Sequence, residues 1–165
     1  MKFHPLGYRG MDGGNRDMPF CTMPTDQYIR FANAQTFLFC QIETPADLEH
    51  VEDIMAVEGM DGIFFGPNDF SVMAGIPGQL NHPQVQDAIK RIANAAKKHG
   101  KDWGMPVGTP QRAKELMDMG ARFICYGNDL IFIKSGLEKM QEDFAKLGFT
   151  FDNYLTKAKS YMERA

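Results

Sequence analysis

Short apolar runs alternate with longer amphipathic stretches along most of the chain. Residues 36–42 (Thr-Phe-Leu-Phe-Cys-Gln-Ile), Gly62-Ile63-Phe64-Phe65-Gly66 and Phe123-Ile124-Cys125-Tyr126-Gly127 are the length of buried strands and are too short for helices. Residues 103–108, Trp-Gly-Met-Pro-Val-Gly, have a poor strand composition, yet their place between two helical patterns requires a strand. Leu48, Val51 and Met55 follow the first run at helical spacing. Thr44 serves as N-cap with Pro45 at the first helical position and Asp47 at the third, and Gly59 closes the helix. Pro83 opens a helix whose inner face carries Val85, Ala88, Ile89, Ile92 and Ala96 and which Gly100 ends. Thr109-Pro110 repeats the cap-plus-proline device before Ala113, Leu116 and Met117, with Gly120 as the stop. Ile133, Leu137, Met140, Phe144 and Leu147 form a heptad-like stripe, long enough to pack firmly against a neighbour. A last amphipathic stretch holds Phe151, Tyr154, Leu155, Ala158 and Met162. At the other end, Gly7, Gly10, Gly13 and Gly14 with Pro5, Pro19 and Pro24 make residues 1–24 a loop. Thr25 is placed to cap a short helix bearing Tyr28, Ile29 and Ala32. A long loop through Gly75, Pro77 and Gly78 follows the second strand.

Four strand-helix repeats followed by an extra helix predict an α/β fold, with parallel strands joined by right-handed crossovers. The near-continuous apolar strands predict a sheet covered on both faces. An open doubly wound sheet and a (β/α)8 barrel both fit this order. No G-x-G-x-x-G follows the first strand, which weakens a dinucleotide-binding reading. The 165 residues are enough for one domain with its own core. A formal charge of -3 argues against a basic surface for nucleic acid. No apolar run is long enough to span a membrane, and Met1-Lys2-Phe3-His4-Pro5 lacks the apolar core of a secretory signal. Cys21, Cys40 and Cys125 show no C-x-x-C spacing, so they are expected as reduced thiols in a cytoplasmic protein.

Ligands of parallel α/β folds sit at the carboxyl ends of the strands. The first strand ends in Gln41-Ile42-Glu43, and side chains two apart share a face, so Gln41 and Glu43 point together. The second ends in Gly66-Pro67-Asn68-Asp69, which puts Glu43 and Asp69 at the same end of the sheet. Two carboxylates with few basic neighbours suit a hard divalent cation that keeps open positions for substrate oxygens. The Gly66-Pro67 turn also presents backbone N–H groups to an anionic ligand. Taken singly, Glu43 reads as a cap or loop ion pair and Asp69 as a turn cap; the metal reading rests on the pair. His50, His82 and His99 read as surface or capping residues, and His4 lies in the leading loop. Arg9 reads as a residue that orders its loop, Lys97 and Lys98 as solvated, and the 12 methionines as core filler. Nothing supports a Schiff-base role for Lys134.

The block Gln41-Ile42-Glu43-Thr44, followed by Val57-Glu58-Gly59-Met60-Asp61-Gly62-Ile63-Phe64-Phe65-Gly66-Pro67-Asn68-Asp69-Phe70-Ser71, resembles the HpcH/HpaI family of metal-dependent pyruvate aldolases. Pro5-Leu6-Gly7-Tyr8-Arg9-Gly10, His82-Pro83-Gln84-Val85, Gly120-Ala121-Arg122-Phe123 and Gly127-Asn128-Asp129 match the family in order, over about the first 145 residues. The resemblance implies a (β/α)8 barrel, often with its last helix exchanged between subunits, that cleaves or forms 4-hydroxy-2-oxo acids. It implies that Glu43 and Asp69 bind Mg2+ or another divalent metal such as Mn2+ or Co2+. It further implies that Gln41, Gly66 and the backbone at Asn68 and Asp69 meet the pyruvate part of the substrate. Lewis-acid stabilisation of the enolate would replace a Schiff base. Asn68 stands where the family usually has a small residue, which narrows the expected pocket.

Four strands are half of the implied eight, and a complete barrel needs about 250 residues. The chain is therefore expected to cover the last four strand-helix units. Residues 1–148 form the partial barrel and 149–165 a helical extension. The family's general-base histidine and charge-stabilising arginine have no counterpart here, so no catalytic base is assigned. The expected substrate is a small oxo acid, and the expected partner is a second copy or the missing half-barrel. The alternatives are a citrate-lyase-like or malyl-CoA-lyase-like enzyme, and a non-catalytic half-barrel that acts through the Ile133–Leu147 stripe.

Overall fold

In the computed structural model, which describes residues 1–12, 16, 20 and 22–151, a four-stranded parallel sheet runs in the order β1-β2-β3-β4. Its strands are β1 (Phe39–Ile42), β2 (Gly62–Phe65), β3 (Asp102–Val107) and β4 (Phe123–Tyr126). Helices α1 (Thr25–Gln35), α2 (Pro45–Glu49), α3 (Val51–Ala56), α4 (Pro67–Met73), α5 (Pro83–His99), α6 (Pro110–Asp118) and α7 (Asp129–Ala145) complete the described elements. The alternation expected from the sequence is thus present, and each strand pairs in parallel with the next.

One face of the sheet carries Ile42, Ile63, Phe65, Trp103, Met105 and Val107, all buried under the helices. Helix α5 supplies Val85, Ala88, Ile89 and Ile92 to the same core, each at most 2% exposed. Fully burying an aliphatic side chain of this kind contributes about 1.5–3 kcal/mol, so α5 is the main cover of the sheet. Gly100 (φ 62) ends it in the left-handed conformation, as the sequence predicts.

The opposite face alternates aromatic residues with glycine. In the strand register Phe39 faces Gly62 and Phe123 faces Gly104. With no side chain at either glycine, the rings lean inward and meet across the sheet. Phe123 lies 5.2 Å from Phe39 and 5.6 Å from Phe64, centroid to centroid. A Cβ on Gly62 would fall 2.8 Å from the Phe39 ring, and one on Gly104 would fall 1.7 Å from the Phe123 carbonyl oxygen. These glycines allow the close approach that coils the sheet into an arc.

Several expectations change. The helix after Thr44 is two short helices that break at His50. Thr25 is the first residue of α1 and not its cap; Pro24 precedes it with no side-chain cap bond. The stretch after Gly66, read as loop, begins with helix α4, because Pro67 sits at its first position and Phe70 anchors it in the core. The stripe on α7 does form a helix, but none of its residues is buried. Leu130, Ile133 and Leu137 stay exposed, so the firm packing expected for this helix is not made among the described residues. Cys40 and Cys125 are free, half-buried thiols. Cys21 and residues 152–165, which hold most of the expected helical extension, lie outside the described residues. No described helix is long and apolar enough to cross a membrane.

Candidate active site

The carboxyl ends of β1 and β2 are fixed against each other by the ladder. Ile42 pairs with Phe65, and the Gly66 N–H donates to the Ile42 carbonyl at 2.9 Å, so Glu43 and Gly66 come side by side. A Cβ on Gly66 would meet Glu43 Cγ at 2.9 Å and Oε1 at 3.2 Å. The Glu43 side chain therefore occupies the space that a residue larger than glycine would fill at position 66. Gln41, two residues earlier on the same face, donates from Nε2 to Glu43 Oε1. That bond holds one carboxylate oxygen and leaves Oε2 available.

The turn that follows Glu43 is held by a reciprocal cap. The Asp47 N–H donates to Thr44 Oγ1 at 3.0 Å, while Asp47 Oδ2 accepts from the N–H groups of Thr44 (3.0 Å) and Glu43 (3.3 Å). The Thr44 side chain is the main reason the Asp47 carboxyl sits below its usual range, with the two backbone donors adding to it against a desolvation that opposes. The T-x-x-D spacing marks the cap in the sequence; the added bond to the Glu43 N–H has no sequence signal.

On the β2 side, Asp69 lies exposed in the first turn of α4. Phe70, wholly buried, packs edge-on to Phe65 at 5.3 Å and sets the direction of the helix. Ser71, also wholly buried, donates from Oγ to the Asn68 carbonyl (2.7 Å) and accepts from the Gly78 N–H (3.0 Å). Asn68 is half-buried and lines a cavity of about 20 Å3 together with Asn81, Pro106, Gly108 and Arg112. The Arg112 guanidinium is already engaged, donating to Gln86 Oε1 and to Glu115 Oε2, each at 2.8 Å.

Among the described residues neither Glu43 nor Asp69 has a basic partner, whereas many other surface carboxylates do, such as Glu49 with Arg91 and Asp118 with Lys114. Nowhere among the described residues do three or more His, Cys, Asp or Glu side chains group as metal ligands. A cation held here would have two protein carboxylates and would take its remaining oxygen ligands from water and substrate. That donor set suits Mg2+ or Mn2+, which keep several exchangeable ligands.

The other candidates are engaged elsewhere. His82 accepts from the Gln84 N–H as the cap of α5, His99 meets Glu52 at 2.8 Å, and His50 is exposed beside Asp53. The Arg9 guanidinium stacks 4.6 Å over the Phe3 ring, in keeping with a loop-ordering role. Lys134 pairs with Glu138.

The family model described as HpcH/HpaI aldolase/citrate lyase matches residues 12–134. A 5-keto-4-deoxy-D-glucarate aldolase of Klebsiella pneumoniae is 36% identical over 145 residues, 88% of this chain and 56% of the relative. The protein of that name from Enterobacter is 35% identical over the same shares. Among solved structures, an HpcH/HpaI aldolase from Desulfitobacterium hafniense superposes with a TM-score of 0.75 at 27% identity, covering 87% of this chain and 55% of that one. Citrate synthase SbnG superposes with a TM-score of 0.74 at 23% identity, covering 89% of this chain and 56% of that one, a likeness of fold alone. The chain thus spans about half the length of the relatives it matches, and the partial (β/α)8 barrel read from the sequence agrees with their fold.

Proposed function

This chain belongs to the HpcH/HpaI aldolase/citrate lyase family, and on that premise we propose that it carries the metal- and pyruvate-binding half of an aldolase. The reaction is cleavage of a 4-hydroxy-2-oxo acid to pyruvate and an aldehyde. The carrying observation is the pair of strand ends. Glu43 is wedged against Gly66 and oriented by Gln41, and Asp69 stands at the start of the next helix, both carboxylates without a basic partner among the described residues.

In this reading Glu43 and Asp69 hold a divalent cation, which supplies Lewis acidity to the oxo-acid oxygens when bound. Gln41 keeps the Glu43 carboxylate in place and offers its amide to the substrate. The missing side chain at Gly66 leaves the room that the Glu43 carboxylate fills, and the backbone of Gly66, Asn68 and Asp69 provides the surface that the oxo acid meets. In the chemical step the bond between C3 and C4 breaks, the C4 hydroxyl loses its proton, and the electron pair passes to the pyruvate enolate. The base that takes that proton is not assigned to this chain. The relatives' substrate, 5-keto-4-deoxy-D-glucarate, is a 4-hydroxy-2-oxo acid when numbered from its oxo end, so a sugar-acid substrate is the first to try. The setting we propose is the cytoplasm, in keeping with the free thiols of Cys40 and Cys125, and assembly with further protein belongs to the same proposal.

Calorimetric titration with Mn2+ tests the site. Glu43→Gln and Asp69→Asn should each weaken binding by more than about tenfold, the cost of removing even an outer-shell partner. Pyruvate methyl-proton exchange in D2O, followed by NMR, should fall with them. Unchanged Mn2+ affinity in the double variant would refute the assignment. The family also includes citrate lyases; preferential cleavage of a CoA ester over the free oxo acid would support that reading instead.

A further inference from the structure

We propose that the cleft between α5 and α6, at the amino end of β3, binds a small aliphatic carboxylate whose oxygen accepts from the Trp103 indole N–H. The cleft has a volume of about 360 Å3, which lies in the range of small-molecule sites. Trp103 forms its floor, Ala93 and Ala96 of α5 stand on one side, and Met119 and Gly120 after α6 on the other. It lies over an interior strand and between consecutive helices, so its walls are complete without anything added at the β1 or β4 edge. Glu43 and Asp69 are at the opposite, carboxyl end of the strands, which makes this a second site and not a part of the first.

An orphan donor points to the ligand. Trp103 is 1% exposed, and its buried Nε1–H has no acceptor among the described residues. The two helix ends explain why. The Ala96 and Lys97 carbonyls accept from the N–H groups of Lys101 and Gly100, and the Leu116 and Met117 carbonyls from those of Ala121 and Gly120. Each cap closes on itself and offers the indole nothing, whereas buried donors are as a rule paired. Nε1 sits on the cleft side of the ring, since a Cβ on Gly120 would lie 3.9 Å from it, and Gly120 itself, at φ 93, puts no side chain in the way. The rim supplies positive charge. Lys97 is exposed and makes no ion pair among the described residues. Lys101 gives one N–H to the Val57 carbonyl and keeps two more. The one carboxylate on the rim, Asp118, is taken up by Lys114 at 2.5 Å. A single floor donor, a cationic rim and alanine walls select a two-oxygen anion with a short apolar tail. A phosphoryl group, with three oxygens to satisfy, finds no further donor on the floor.

Trp103 is the sole tryptophan, so the isotope-labelled full chain gives one indole N–H signal by NMR, and that signal reads the proposed bond directly. Propionate is the probe, titrated without metal; it has no 2-oxo group to chelate a cation, so the outcome is independent of the Glu43–Asp69 reading. The expected result is a saturable downfield shift of the indole proton that chloride at equal ionic strength does not produce. Lys97→Gln and Lys101→Gln replace side chains on the rim and should each weaken propionate binding about two- to fivefold, the range of an exposed ion pair. An indole signal that stays in place, or that chloride moves equally, overturns the proposal. Propionamide bound as tightly as propionate overturns the choice of an anion, as does full affinity in the double lysine variant. An Overhauser contact from the indole proton to a bound water that propionate fails to displace also overturns it, by making water the partner of Trp103.

Discussion

Gly66→Ala is the sharpest probe of the strand-end geometry, because the backbone tolerates it and the neighbouring carboxylate does not. Gly66 has φ -97 and ψ 83, a conformation open to L-residues, so no left-handed strain arises. The added methyl falls 2.9 Å from Glu43 Cγ, 3.2 Å from Oε1 and 3.5 Å from Cδ. Ordinary carbon–carbon contact is about 3.5–4.0 Å, so the Glu43 side chain must retreat by roughly 0.6–1.1 Å. Leaving its rotamer costs about 0.5–1.5 kcal/mol. The loss of glycine freedom in the unfolded chain returns about 0.4–1 kcal/mol. Net stability should therefore change by less than about 1 kcal/mol. Metal ligation tolerates shifts of only about 0.2 Å, so the carboxylate leaves its productive position. Mn2+ affinity should fall about tenfold or more, while the thermal melt moves by a few degrees at most. Parent-like Mn2+ binding in this variant would refute the claim that Glu43 ligates from beside Gly66. A large loss of stability would refute the claim that only a flexible side chain has to move.

Two further substitutions test the supports of the site. Asp47→Ala removes the side-chain half of the reciprocal cap and should cost about 1 kcal/mol at neutral pH, read by urea denaturation. Because the folded-state pKa of Asp47 is lowered, its contribution is present above the unfolded carboxylate value near 3.9 and is lost as pH falls through the folded value. The gap between parent and variant should thus close in acid; a gap constant with pH would show that the carboxylate charge plays no part. Asn68→Ala should leave folding unchanged, since Ser71 bonds to the Asn68 backbone carbonyl and not to its side chain. It should improve inhibition by 2-oxobutyrate relative to pyruvate about tenfold, the worth of one accommodated methylene. An unchanged ratio would show that Asn68 does not narrow the pocket.

The alternation of parallel strands with helices, and the meeting of Gln41, Glu43 and Gly66 at one end of the sheet, were legible because both depend on local signals. A short apolar run that ends in Gln41-Ile42-Glu43 says which residues share a face, and the parallel neighbour says where Gly66 must lie. The Thr44 and Thr109 caps were legible for the same reason, since a Thr-Pro pair at the start of an amphipathic stretch marks both. Helix α4 was not, because Gly66-Pro67-Asn68-Asp69 is turn-forming by composition. Its helicity depends on burying Phe70 and Ser71, a tertiary gain. The exposure of α7 was hidden too: a heptad-like stripe shows that a helix has a face to bury and carries no information about which surface receives it.

The glycines join the fold to the chemistry in a way that no single motif displays. On the concave face, Gly62 and Gly104 stand opposite Phe39 and Phe123 and let the sheet coil. One step up the second strand's inner face, Phe64 joins the aromatic cluster, and the next inward position is Gly66, filled by Glu43. The same alternation of large and absent side chains thus packs the floor of the arc and clears the space for a carboxylate at its rim. A side chain at Gly62 would strike backbone at 2.3 Å, where nothing can yield, whereas one at Gly66 meets the mobile arm of Glu43. The two positions should therefore fail differently: replacement at Gly62 should damage the sheet itself, and replacement at Gly66 the proposed metal site alone. That difference follows from which atoms stand opposite each missing Cβ, and it separates the glycine that packs the sheet from the one that makes room for Glu43.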